Sequence, residues 1–232
     1  MDNQLVFIHL PRTAGTSLGV ALANAYREVG KTVCPYRNWE YFVEATDLDT
    51  YDLIGGHSYY PLIRLLKGNP TFITILGEPI NRCVSNYYMT KGLWAGPNKE
   101  DLDNHTLSEL LDNPFWFTVM ANQQTRMLAS DFDIAEIKCA VDFSTKIRPT
   151  KEDLTKAKAR LTTFPFVGIK EQFDKSLQCL SDFVGLPLIQ VNNEKPRHPA
   201  NNLDASTLQK LELANEYDLE LYEFGLKLFN GL

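Results

Sequence analysis

An α/β domain with a mostly parallel sheet between helical layers is the fold class this sequence predicts, and three observations predict it. Short apolar, β-branched runs at 5–10, 71–76 and 166–169 alternate with stretches whose apolar residues recur at helical spacing. The first two of these runs pass through proline- or glycine-bearing turns directly into helix-start signals. A chain of 232 residues with 44% hydrophobic and 22% charged side chains is long and apolar enough to bury a full core, so one domain over 1–232 is expected.

Taken in order, LVFIHL at 5–10 suits a buried strand. From Ser17 the positions Leu18, Ala21, Leu22, Ala25 and Val29 mark a helix that Gly30 stops. Residues 51–54 form a second strand that ends in Gly55-Gly56-His57, a sharp turn carrying a histidine. TFITIL at 71–76 is the strongest strand signal; Gly77-Glu78-Pro79 closes it, and Ile80, Cys83, Val84, Tyr87 and Tyr88 then share one helical stripe behind Pro79 at the first helical position. The polar stretch 90–105 is expected as an exposed loop over a cleft. Helical patterns resume near 106 and run from 114 to 128, while 138–143 suits a short edge strand or irregular chain. Thr150 and Asp153 frame a capping-box-like start to a charged helix that runs to about 161. A strand at 166–169, a helix marked by Phe173, Leu177, Leu180 and Val184, and a candidate last strand at 188–191 follow. Residues 192–203 are expected as loop, and Asp204 caps the closing helical segment, whose final face is Leu219, Tyr222, Leu226 and Phe229.

A net charge of -6 and a pI near 5.3 exclude a broad nucleic-acid footprint but not a local basic pocket. Cysteines 34, 83, 139 and 179 show neither CxxC pairing nor metal-ligand spacing and read as free thiols of a reducing compartment. No window approaches the roughly 20 apolar residues of a membrane helix, and residues 1–10 lack the form of an export leader. The expected location is therefore the cytoplasm.

FIHLPRTAGTS at 7–17 places a strand, a basic residue, a glycine and three hydroxyls at a strand-to-helix turn. The first helical turn leaves its N–H groups without intrahelical acceptors, so it can take an anion aided by the helix dipole. Gly15 would allow close approach to the anion, Thr13, Thr16 and Ser17 would add hydroxyl donors, and Arg12 a charged fork. No GxxxxGK precedes the helix, so this is not a Walker A loop. The same residues also suit a plain tight turn with a serine cap and a surface arginine.

PRTAGTS at 11–17 resembles the 5'-phosphosulfate loop of sulfotransferases that use 3'-phosphoadenosine 5'-phosphosulfate (PAPS), in particular those that sulfate sugar hydroxyls. ILGEPINRCVSNYY at 75–88 resembles that family's 3'-phosphate segment, and NQQTRML at 122–128, FVGIKEQFDKSL at 166–177 and YDLELYEFGLKLF at 217–229 resemble later segments of heparan sulfate 6-O-sulfotransferases and their relatives. The resemblance implies a three-layer P-loop-like sulfotransferase fold and transfer of a sulfuryl group from PAPS to a hydroxyl of a carbohydrate, glycolipid or other glycoconjugate. The four histidines show no metal-like cluster and arginines with backbone amides can neutralise the transferred group, so no metal is expected; the acidic balance leads to no nucleic-acid partner, and the lack of a leader or anchor to a bacterial or cytosolic setting.

By the same resemblance Arg12 stands where the family usually has a lysine and would contact the departing 5'-phosphate, with Thr13, Ala14, Gly15, Thr16 and Ser17 holding the remaining oxygens. Ser85 and Arg82 fall in the 3'-phosphate segment, although as bare residues they suit an ordinary helix serine and a solvated arginine. His57 is the candidate general base, since a neutral imidazole can take the acceptor's proton. Lys195 and Arg197 lie where a late basic loop could close over the donor. His9 is expected to pack as a structural or supporting residue, and Arg126 to brace the fold or, second to that, to contact the acceptor. Gly77 departs from the family, whose turn begins with an arginine; losing that contact would weaken donor binding by about 1.5–3 kcal/mol. Compensation by Arg82, Lys195 or Arg197, an altered donor, or a degenerate protein of weak or no activity each fits that departure. A P-loop phosphotransferase is the other alternative, and it would require a lysine after the glycine loop.

Overall fold

The structure, a computed structural model, describes residues 4–94, 98–137, 146–191 and 203–231. Its first strand, β1 (Leu5–Ile8), is buried along its whole length, which explains why its sequence is continuously apolar rather than alternating. It lies third in a five-stranded sheet ordered β2-β3-β1-β4-β5, where β2 is Arg37–Asn38, β3 Leu53–His57, β4 Thr71–Leu76 and β5 Phe166–Ile169. All these pairings are parallel, with Leu5 opposite Leu53 on one side and Thr71 on the other.

Alternate strand residues feed the two helical layers. Leu5, Phe7, Leu53, Ile73, Ile75 and Phe166 pack toward the buried stripe of α1 (Gly15–Glu28) and toward Leu177 and Leu180 of the helix that follows β5. Val6, Ile8, Ile54, Phe72, Leu76 and Val167 face the opposite layer, which includes α2 (Trp39–Glu44). A third apolar cluster surrounds the fully buried Trp116 and is built almost entirely from helices. These are α3 (Pro79–Leu93), α4 (Lys99–Asn104), α5 (Leu107–Asp112), α6 (Pro114–Met120) and a later helix carrying Leu211.

The remaining helices are α7 (Gln123–Ala129), α8 (Lys151–Thr163), α9 (Phe173–Val184), α10 (Ala205–Ala214) and α11 (Glu216–Asn230). The capping box at Thr150 and Asp153 forms as expected, with Asp153 N–H donating to the threonine hydroxyl at 3.3 Å. Asp204 caps α10 by accepting from Thr207 N–H at 2.9 Å.

Several elements differ from the sequence expectation. The stretch 90–105 is not a simple exposed loop: α3 runs to Leu93, and Leu102 of α4 is fully buried, so one apolar side chain among charged neighbours anchors a short helix. The expected helix over 114–128 is two helices, because Asn122 adopts a left-handed conformation (φ 45°) between them. Residues 188–191 form no strand, and Ile189 is 74% exposed. Tyr88 turns out of the α3 stripe to 47% exposure. β2 had no apolar signal, since Arg37 and Asn38 are both exposed. Residues 138–143 and most of the 192–203 loop lie outside the described residues.

Candidate active site

From β1 the chain passes to β2 and β3 on one side of it, then crosses to β4 and β5 on the other. The carboxyl ends of β1 and β4 therefore flank a topological switch point, the place where open parallel sheets form a ligand crevice. The 9–14 loop and Gly77 stand on its two sides.

Within that loop Arg12 (φ 69°) and Ala14 (φ 64°) both take left-handed backbone conformations that side-chain-bearing residues seldom adopt. Two such residues flank Thr13, and successive turn conformations of this kind are the backbone arrangement in which consecutive N–H groups can form an anion-binding concavity. Ala14 is the N-cap of α1 and offers no capping side chain, so the first-turn amides of Gly15, Thr16 and Ser17 are left for another acceptor. The plain turn with a serine cap is thereby replaced by an uncapped helix start. Thr13 Oγ1 donates to Leu10 O at 2.8 Å and is fully buried; it holds the loop and leaves only its backbone for a ligand.

Gly15 also makes room for a side chain that the sequence reading did not connect to it. A Cβ there would fall 2.0 Å from Cδ2 of His9, so the space above the glycine belongs to the imidazole. His9, 3% exposed, stacks on Phe7 with ring centroids 5.7 Å apart and on His57 at 4.4 Å, and shares a hydrogen bond with the Tyr36 hydroxyl. Nearly half of Tyr36 is exposed, yet burial of its hydroxyl end against His9 pushes the phenol's pKa up.

His57 Nδ1 lies 3.0 Å from the backbone carbonyl of His9. A carbonyl can only accept, so in the neutral ring Nδ1 carries the proton and Nε2 is the basic nitrogen. Strand pairing fixes the ring's place: His57 ends β3, alongside the loop that leaves β1.

Arg12 reaches across the crevice mouth. Its Nε donates to Ser85 Oγ at 2.8 Å, and Nη1 approaches Met89 Sδ at 3.7 Å. Burial pushes the Arg12 pKa down, which raises the value of an anionic neighbour.

No family model matches the chain. Heparan-sulfate 6-O-sulfotransferase 1-A of Danio rerio is 25% identical over 274 aligned residues, covering 97% of this chain and 64% of that protein. Heparan-sulfate 6-O-sulfotransferase 1 of Homo sapiens is 25% identical over 279, covering 98% and 66%. Heparan-sulfate 6-O-sulfotransferase 2 of Gallus gallus is 27% identical over 188, covering 68% and 44%. This chain is a homologue of the heparan-sulfate 6-O-sulfotransferases. It spans about two thirds or less of the length of these relatives. They are vertebrate proteins and lend no support to the bacterial setting expected above.

In this sulfotransferase homologue the remaining candidates divide. Arg82 is not the solvated arginine its bare sequence suggests: it is 1% exposed, donates to Gln123 Oε1 at 2.6 Å and lies 3.7 Å from Asp218 Oδ2. Asp218, fully buried, accepts from Gln124 N–H at 3.0 Å and Thr125 N–H at 2.7 Å, and so caps α7 from α11. Gln124 in turn clasps Gly77, accepting from its N–H and donating to its carbonyl, each at 3.0 Å. Arg126 is a brace, donating to Thr118 O and Ala121 O; burial pushes its pKa down to about 10, against the opposing pull of Asp218. Lys195 and Arg197 lie outside the described residues.

Sequence reasoning missed Lys170. It follows β5 directly, and its Cδ lies 3.4 Å from where a Cβ on Gly77 would be. The FVGIKEQF block carries the resemblance as a whole, but nothing local marks its lysine as facing the β1 loop. Among the described residues no three of His, Cys, Asp and Glu gather as a metal site, and no helix is long and apolar enough to cross a membrane. Cys34 and Cys83 are buried free thiols, and Cys179 is a half-buried one.

Proposed function

We propose that this protein is a PAPS-dependent sulfotransferase acting on a hydroxyl of a carbohydrate or glycoconjugate, with His57 as general base and Arg12 as the cation at the departing phosphate. One observation carries the reading. A doubly left-handed loop, an uncapped helix start, a tethered arginine and a histidine with its basic nitrogen defined meet at the switch point of a parallel sheet.

The residues present fit a phosphate-bearing donor: backbone N–H groups from Thr13 to Ser17 offer a concavity for its oxygens, and Arg12 closes one side. When bound, the donor supplies a sulfuryl group carried on a phosphate leaving group. His57 receives the acceptor hydroxyl's proton at Nε2, held ready because Nδ1 is committed to the His9 carbonyl. Arg12 neutralises charge on the phosphate side, and Ser85 keeps its guanidinium aimed. The buried free thiols Cys34 and Cys83 support a reducing, cytoplasmic location.

The test is turnover of PAPS with a panel of glycans and glycolipids, followed by mass spectrometry of the acceptor. Sulfated product from the native chain and none from His57→Ala, with 3'-phosphoadenosine 5'-phosphate (PAP) still bound by both, is the expected result. No product from any acceptor together with intact PAP binding would leave a donor-binding protein, and no PAP binding at all would overturn the reading.

A further inference from the structure

The carboxyl edge of the sheet carries more positive charge than the loop and Arg12 account for. Lys170 is the first residue after β5, and the register of Ile169 opposite Leu76 brings it level with Gly77. Because residue 77 has no side chain, the lysine stem lies over it: an added Cβ would meet Thr13 Cγ2 at 3.3 Å and Lys170 Cδ at 3.4 Å. The stem of Lys170 and the floor of the anion loop thus share one glycine. Gly77 itself is immobilised by the Gln124 clasp, so the arrangement has a rigid base.

Among the described residues the Lys170 ammonium makes no hydrogen bond or ion pair. The two carboxylates near it are already engaged. Glu78 caps α3 by accepting from Ile80 N–H at 3.0 Å and Asn81 N–H at 2.7 Å. Glu171 accepts from the Tyr222 hydroxyl at 2.9 Å. Burial pushes the lysine's pKa down; Arg12 and Arg82 push the same way, and Glu171 and Glu78 oppose. A half-buried ammonium left without an acceptor beside two arginines is stabilised by an incoming anion.

We propose that Lys170 is a donor-anchoring residue, reaching across Gly77 to contact a phosphate of the nucleotide seated at the β1–α1 loop. The inference rests on the donor reading above and adds to it the residue that supplies a second cation opposite Arg12. It also assigns Gly77 a use: the missing side chain is the channel through which Lys170 reaches the crevice.

Calorimetric titration with PAP tests it on the native chain, Lys170→Met, Lys170→Arg, Gly77→Arg and the double variant Gly77→Arg/Lys170→Ala, with thermal unfolding as a check on folding. Lys170→Met is expected to weaken binding about ten- to hundredfold, the loss of one charge-assisted contact, while Lys170→Arg stays within about threefold of native. Gly77→Arg alone should give no gain, because it crowds the lysine, and the double variant should recover most of what Lys170→Met loses. Equal PAP affinity in native and Lys170→Met chains, or a marked gain from Gly77→Arg alone, would overturn this inference and leave the donor reading standing. Failure of the native chain to bind PAP would overturn both.

Discussion

Arg12 Nε and Ser85 Oγ, 73 positions apart in the chain, meet at 2.8 Å and join the loop after β1 to the second turn of α3. The contact gives a flexible, half-buried cation a single direction. Ser85→Ala should therefore weaken PAP binding about five- to tenfold, roughly 1–1.5 kcal/mol, with an unchanged melting temperature. Calorimetry decides it; native affinity in the serine variant would mean that the tether has no positioning role.

His57 is held by one backbone carbonyl and stacked on His9. Its truncation to alanine should lower turnover by about two to four orders of magnitude while PAP affinity stays within about twofold. Parallel losses in both quantities would assign the ring to donor binding instead.

Gly15→Ala places a methyl group 2.0 Å from the His9 ring. A displaced imidazole and a disturbed loop should cost about 1–3 kcal/mol of stability. Because the clash is with that side chain, the double variant Gly15→Ala/His9→Ala should be more stable than the sum of the single losses predicts. Urea unfolding of the four proteins completes the cycle, and strict additivity would place the strain elsewhere.

Asp218 satisfies two α7 amides and faces Arg82 in a fully buried setting. Asp218→Ala leaves a buried arginine without its carboxylate, for which a loss of about 3–5 kcal/mol is expected. Equilibrium unfolding measures it; a change below about 1 kcal/mol would show that water or rearrangement compensates.

Burial raises the Cys34 thiol to about 11 from 9.0. The folded chain then holds a proton that the unfolded chain releases between those values, so the associated stability is full below pH 9 and falls as pH rises toward 11. The full loss would be about 2–3 kcal/mol. Cys34→Ala should show a smaller decline between pH 8 and 11 in urea melts than the native chain, and identical slopes would refute the assignment.

Much of this was legible in the sequence. The four longer strands and the helix start after FIHLPRTAGTS depend on apolar runs, periodicity and turn residues a few positions apart, and they appear close to where those signals lie. The signals failed where an element rests on little or no apolar periodicity. β2 is two exposed polar residues paired only by the neighbouring strand, and α4 is held by one buried leucine amid acids. Arg82 looked solvated because helical spacing reveals its own face, not the buried Asp218 that α11 brings to it. The place of Lys170 was invisible for the same reason: only strand register sets it over Gly77.

By itself the sequence determined the parallel α/β layering, the tight strand-to-helix loop at the first crossing and the histidine at the end of β3, because each is written in consecutive residues that fix local dihedral angles and the direction of burial. Only the tertiary structure decided which cations face the crevice. Arg12 is aimed by a serine from α3, Arg82 is withdrawn to a carboxylate on α11, and the stem of Lys170 lies over Gly77. The physical reason is that a charge is assigned its work by its partners and its burial, and here those come from elements distant along the chain.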